Sequence, residues 1–99
     1  MYGNPQKRSV AEVQDLRRDG GRWLKSLREA AGLSQRQLAQ SVGAEYYTFI
    51  SQLETGRGRI PPDRYGDWAD ALGLPHKMFV QELMRYYDPI THGILFEDA

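Results

Sequence analysis

The sequence predicts an all-α domain built around a helix-turn-helix pair, and three observations predict it. The first is the stretch Ser34–Gly43. Ser34 and Gln37 have capping-box spacing, the serine oxygen accepting from an orphan amide and the glutamine reaching back to the cap. Leu38, Ala39 and Val42 then share one face, and Gly43 supplies a left-handed stop. The second is Tyr47–Gly56, where Ile50 and Leu53 point inward. Tyr47, Thr48, Ser51 and Gln52 leave an outer face of hydrogen-bonding groups, on a helix short enough for the major groove of DNA. The third is charge. The whole chain is neutral, which by itself argues weakly against a nucleic-acid partner. Residues 17–64, however, carry nine basic against five acidic side chains, and residues 65–99 two against six. Basic charge therefore gathers around the helix pair and acid behind it, an asymmetry that orients a protein on a polyanion.

Composition narrows the function classes. Ninety-nine residues make one domain with a single core. The absence of cysteine excludes disulfides and thiolate metal sites. No apolar run reaches the roughly 18 residues of a membrane span, and Met1 leads into a polar segment without a signal-peptide core, so a soluble, cytoplasmic protein is expected. His76 and His92 stand isolated, without metal-ligand spacing or an acidic partner arrangement. With no glycine-rich phosphate loop and no nucleophile motif, the chain is read as a non-enzyme without cofactor or metal.

Taken in order, residues 1–8 lack periodicity and form a tail. A helix over about 9–18 follows, capped by Ser9 and Glu12, with Val10, Val13 and Leu16 on one side. It reads either as a short helix on the domain edge or, with Lys7 and Arg8, as a DNA-contacting arm. Gly20-Gly21 breaks it. The next helix, about 22–31, places Leu24, Leu27 and Ala31 on one face with Arg28, while Trp23 beside them covers the N-terminal helix. After the helix pair, the basic loop Arg57-Gly58-Arg59 leads through Pro61-Pro62 into a helix over about 62–72, with Tyr65, Trp68, Ala69 and Leu72 inside and Gly73 as its stop. A last helix runs from about Pro75 to Tyr87, ended by Asp88-Pro89. The division is thus 1–20 for tail and short helix, 21–87 for the helix-turn-helix domain, and 88–99 for a C-terminal apolar tail.

The last helix is apolar well beyond the roughly 100° arc that a surface helix buries. Two coverings are open. The chain's own Ile90–Phe96 segment covers the excess, or it is a homodimer seam through Val80, Met84 and Tyr87, with Ile94, Leu95 and Phe96 reaching across to the partner.

From Arg28 to Leu72 the sequence resembles the lambda-repressor/Cro-type DNA-binding domain, the XRE family of bacterial and phage regulators. The residues that carry the resemblance are Leu27-Arg28-Glu29-Ala30-Ala31-Gly32-Leu33-Ser34-Gln35, Leu38-Ala39, Val42-Gly43, Ile50-Ser51-Gln52-Leu53-Glu54-Thr55-Gly56, Pro61-Pro62 and Ala69-Asp70-Ala71-Leu72-Gly73-Leu74. The resemblance implies a five-helix fold, to which the short N-terminal helix and the C-terminal tail are additions. It also implies cytoplasmic, nucleoid-associated residence and dimeric binding of near-palindromic operators in double-stranded DNA. By the same resemblance, Tyr47, Thr48, Ser51 and Gln52 meet base edges, and the Gln52 amide suits a bidentate pair with adenine. Gln35, Arg36, Tyr46, Thr55, Arg57 and Arg59 meet the phosphate backbone, and Arg28 and Glu54 form a structural salt bridge. For Tyr46 and Tyr47, packing between the paired helices stands equally beside DNA contact. Phe49 is read as covering the core or an adjacent helix, and Trp68 as core.

Two departures from the family pattern stand out. Gly43 to Leu53 is one residue longer than usual, at Ala44 or Glu45, and the recognition-helix start is rich in tyrosine where Gln, Ser or Thr is usual. Two functions follow: a DNA-binding transcriptional regulator, read as a repressor acting as a homodimer, or a helix-turn-helix fold serving as a protein-interaction or antitoxin-like co-regulator module with a regulatory protein partner.

Overall fold

The computed structural model describes residues 10–97; helices joined by turns and loops make up all its regular structure, with no strand among the described residues. Helix α1 spans Val10–Ala30, α2 Gln35–Ser41, α3 Tyr47–Glu54, α4 Tyr65–Leu72, α5 His76–Tyr87 and α6 Pro89–His92. A 3₁₀ turn at Pro62–Arg64 leads into α4, and a π-type turn at Gly93–Glu97 follows α6. Residues 1–8, expected as a tail, lie outside the described residues.

The largest correction to the sequence reading is at Gly20-Gly21. No break occurs there, so the separate N-terminal helix and the helix from residue 22 are one 21-residue α1. The reason is tertiary. A Cβ on Gly21 would stand 2.4 Å from the carbonyl oxygen of Glu54, and one on Gly20 would stand 2.8 Å from Cβ of Tyr86. The two glycines are where α1 passes against the end of α3 and the side of α5. That close approach outweighs the roughly 1 kcal/mol per glycine of lost helix propensity. Gly56 completes the crossing at φ +80°, where an added Cβ would meet the Arg17 and Arg18 backbone at 2.8 Å. Helix α1 ends at Ala30, one residue before the expected end, with Ala31 exposed, and its leading Val10 and Val13 are exposed.

The core lies between α1, α2, α3, α4 and α5. Leu24, Leu38, Val42, Ile50, Leu53, Ile60, Trp68, Ala69, Phe79 and Leu83 are all 4% exposed or less. Trp23 does not cover an N-terminal helix; it stacks on Phe79 at 5.6 Å and tilts against Tyr86 at 5.5 Å, both on α5. The helix expected over 62–72 opens as the 3₁₀ turn, with its inner face in Trp68, Ala69 and Leu72 and with Tyr65 half-buried. Phe49 leaves α3 edge-on to Trp68, 6.2 Å between centroids.

Both histidines depart from the isolated state read from sequence. His76 Nε2 lies 2.7 Å from Asp70 Oδ1, an exposed pair bridging α4 and α5. His92 is 2% exposed and packs on Phe96, with Nδ1 3.9 Å from Glu97 Oε1. No group of three or more His, Asp or Glu side chains among the described residues could hold a metal ion.

Candidate nucleic-acid interface

The paired helices are fixed from their ends inward. Ser34 caps α2 in extended conformation; its Oγ accepts from Gln37 N at 3.1 Å, and Gln37 Oε1 accepts from Ser34 N at 2.8 Å. Such a cap is worth about 1 kcal/mol and supports a helix of only seven residues. At the other end Gly43 adopts φ +71°, and Ala44 N donates to Ala39 O at 2.9 Å. Helix α3 then starts from Tyr46 with no side-chain cap, so Glu45, whose acid could have served there, does not hydrogen-bond the helix end. The longer turn between the helices is thus the open segment 42–46.

A polar knot binds α1, α2 and α3 at the C-terminal end of α3. Arg28 Nε donates to Glu54 Oε2 at 2.6 Å, Nη2 to Glu54 Oε1 at 3.2 Å, and Nη1 to the Leu33 carbonyl at 2.7 Å. Gln35 Nε2 adds a third donor on Glu54 at 3.1 Å. The Arg28 and Glu54 side chains are 9% and 5% exposed. The hydrogen bond to Glu54 raises the Arg28 pKa above its ordinary value, against the opposing pull of burial. A fork-to-fork pair of this kind fixes orientation as well as energy. It holds the C-terminal end of α3 against α1 and against the first turn of α2.

Residues 21–81 match the family of helix-turn-helix domains. The chain belongs to that family, within the XRE/lambda-repressor-like group. No curated protein matches the chain. The family is typically non-enzymatic, and a helix-turn-helix domain implies DNA as partner. No helix among the described residues is long and apolar enough to cross a membrane.

Within this helix-turn-helix domain the outer face of α3 holds Tyr47, Thr48 and Gln52 exposed and Ser51 half-buried, while Ile50 and Leu53 are 1% and 2% exposed on the inner side. Tyr46 is 65% exposed, so it does not pack between the paired helices. Tyr47 lies under the Arg36 guanidinium, 4.3 Å from its ring centre, which brings one expected phosphate contact and one expected base contact into a single stacked pair bridging α2 and α3.

Other expected contacts are already engaged within the chain. The Gln35 amide is turned toward Glu54, while Arg36, Gln37 and Gln40 are the exposed polar side chains of α2. Thr55 Oγ1 donates to the Ser51 and Gln52 carbonyls at 3.0 and 3.1 Å and closes the end of α3, so its hydrogen is committed to the backbone. Arg59 lies over the Tyr87 ring at 4.9 Å and donates to the Tyr87 carbonyl at 3.4 Å. Arg57, by contrast, is exposed and has no ion-pair partner among the described residues.

One group on this face was missed by the sequence reading. Arg64, from the turn before α4, reaches back beside Gly43 and is paired with Asp67 at 3.3 Å. With Tyr46, Thr48, Phe49, Gln52 and Trp68 it lines a cavity of about 390 Å³ between the helix turn and α4. The only sequence signal for it was its share in the basic excess of residues 17–64.

The C-terminal residues divide. Tyr87, placed at a dimer seam by the sequence reading, is 8% exposed, and its hydroxyl accepts from Ile60 N at 3.1 Å, so it serves its own protomer. Burial raises its pKa above the ordinary tyrosine value, with the Ile60 N–H working in the opposite direction. Val80 and Met84 are half-buried, Val80 against the core. Ile94, Leu95 and Phe96 are 60%, 65% and 42% exposed.

Proposed function

We propose that the protein is a sequence-specific transcriptional regulator, a repressor, that reads a near-palindromic operator as a homodimer through the outer face of α3. The observation that carries this reading is the contrast between the two sides of that helix. Its inner side and C-terminal end are locked by Ile50, Leu53 and the Arg28–Glu54–Gln35 knot, while Thr48 and Gln52 stand exposed and free of side-chain hydrogen bonds among the described residues. A rigid helix presenting unspent donors and acceptors is what base-edge reading requires. Gln52 is the base reader, pairing through its amide with adenine; Tyr47, Thr48 and Ser51 contribute apolar and hydrogen-bond contacts beside it. Arg57, with Arg36, Tyr46 and the first turn of α2 at Gln35, holds the phosphates; Thr55 and Arg59 lend support from the backbone side. No cofactor takes part, and the protein works in the cytoplasm on the nucleoid.

Selection and sequencing of genomic fragments retained by purified protein at physiological salt tests the reading. Recovery of a near-palindromic site supports it; retention without preference overturns it. The second reading, a co-regulator or antitoxin-like module that binds another protein, is favoured by one observation, the exposed Ile94–Phe96 turn on a chain of zero net charge. It gains if fragments are retained without preference.

A further inference from the structure

Exposed apolar surface gathers at both ends of α5 and on one side of it. At its N-terminal end a groove of about 540 Å³ separates α1 from α5, walled by Trp23, Leu27, Leu74, Pro75, Met78 and Phe79. Met78 is 58% exposed on this groove, and Lys77 stands on the rim without an ion-pair partner among the described residues. At the other end stand Ile94, Leu95 and Phe96, followed in sequence by the acids Glu97 and Asp98.

Between groove and tail lies an ion triad. Arg85 Nε donates to Glu82 Oε2 at 3.1 Å, and Arg85 Nη1 to Glu97 Oε2 at 3.2 Å. Glu82 also lines the groove, so groove, triad and apolar turn follow one another along the same side of the molecule. Met78 and Arg85 are about 10 Å apart along the helix axis at roughly 1.5 Å per residue. The link between Glu97 and Arg85 ties the end of the apolar turn to α5.

A side that runs groove, triad, turn reads turn, triad, groove when a second copy is rotated end for end. That is the self-complementarity of an isologous two-fold contact, in which every interaction occurs twice. We propose that the α1–α5 groove of one copy receives the Ile94–Leu95–Phe96 turn of a second copy, reciprocally, with Lys77 on the rim meeting the acidic end of the incoming tail. Charge complementarity selects this occupant: the groove carries Lys77 and Glu82, Glu82 is held by Arg85, and Lys77 is left without an ion-pair partner among the described residues, while the segment that fills the groove is apolar and then acidic in sequence. The contact covers Met78 and the apolar turn together, which removes the largest exposed apolar groups at the C-terminal end of the chain. The inference rests on the homodimer part of the proposed function and names the surface that forms it, displacing the seam from Val80 and Tyr87 to the Met78 side of α5.

The chain contains no cysteine, so single introduced thiols report proximity without background. An equimolar mixture of Met78→Cys and Leu95→Cys full-length chains, mildly oxidised, should give a disulfide-linked pair, while neither variant alone cross-links efficiently. In sedimentation equilibrium the wild-type chain should dimerise at micromolar concentration, and Met78→Glu and Leu95→Glu should each weaken the dimer by about tenfold or more. Both positions are exposed, so the variants should keep the wild-type circular dichroism spectrum and melting behaviour. A wild-type chain that stays monomeric, a dimer indifferent to both glutamates, or cross-linking within each single variant but not between them would overturn the proposal. The DNA reading fails separately. If the mixed cross-link forms while Gln52→Ala leaves DNA preference unchanged, the dimer contact stands and the role of α3 falls. If Gln52→Ala abolishes preference and no mixed cross-link forms, the reverse holds.

Discussion

Removing Glu54 should unfold much of what makes the recognition helix usable. In Glu54→Ala three hydrogen bonds disappear at once, two from Arg28 and one from Gln35. The Arg28 guanidinium remains, 9% exposed and held only by the Leu33 carbonyl. Breaking a buried pair by deleting one partner costs roughly 3–5 kcal/mol, because an uncompensated charge stays in the interior. Against a total stability of about 5–15 kcal/mol for a domain of this size, that is a large share. At roughly 4–8 °C per kcal/mol the melting temperature should fall by well over 10 °C. Urea and thermal unfolding followed by circular dichroism measure it. The double variant Arg28→Met with Glu54→Leu removes both charges and should recover most of the loss. A Glu54→Ala cost below about 1 kcal/mol, or a double variant no more stable than the single one, would refute the view that this buried pair is what fixes α3.

The remaining predictions concern packing, ionisation and DNA. Gly21→Ala should destabilise the protein by about 1–3 kcal/mol although alanine favours helix, since its methyl would press on the Glu54 carbonyl; chemical denaturation reads this directly. Tyr87, and Tyr86 at a less buried site, have pKa values raised chiefly by burial, so the native state keeps their protons longer than the unfolded chain does. Stability from these groups should therefore be fully present below about pH 10 and be lost as pH rises through the raised values, and denaturation midpoints in alkaline buffer should show that decline. Arg57→Ala should weaken binding to all duplexes alike and lower the salt slope by about 1, measured by titration at several ionic strengths. Arg59→Ala should affect DNA less and stability more, because its guanidinium lies on Tyr87.

What the sequence showed plainly was whatever is decided within a turn or two of chain. The Ser34–Gln37 capping box and the positive-φ stops at Gly43 and Gly73 are local devices, and they stand where the spacing put them. The inner faces of α3 and α4 followed from periodicity for the same reason. Gly20-Gly21 misled because its meaning lies in the Glu54 carbonyl and Tyr86, which no window around residue 20 contains. Arg28 and Glu54 are 26 residues apart, so only the family resemblance could pair them before the fold brought them together. Side-chain direction on the candidate interface was the least legible part. Whether Gln35 turns to Glu54, Arg59 to Tyr87, or Arg64 to the helix turn depends on neighbours from other elements. Tyr87 illustrates the same limit: an aromatic on a too-apolar helix reads as surplus until the Ile60 amide finds its hydroxyl.

The central claim is that the outer face of α3 reads bases while the groups around it hold phosphates. It is tested most directly by measuring, at one salt concentration, the affinity of wild-type and Gln52→Ala protein for the selected operator and for a scrambled duplex. The wild type should favour its operator by about 10³-fold or more, in the range of specific DNA-binding proteins, and Gln52→Ala should lose most of that ratio while its affinity for the scrambled duplex barely changes. Equal ratios for the two proteins would contradict the claim and take base reading away from α3.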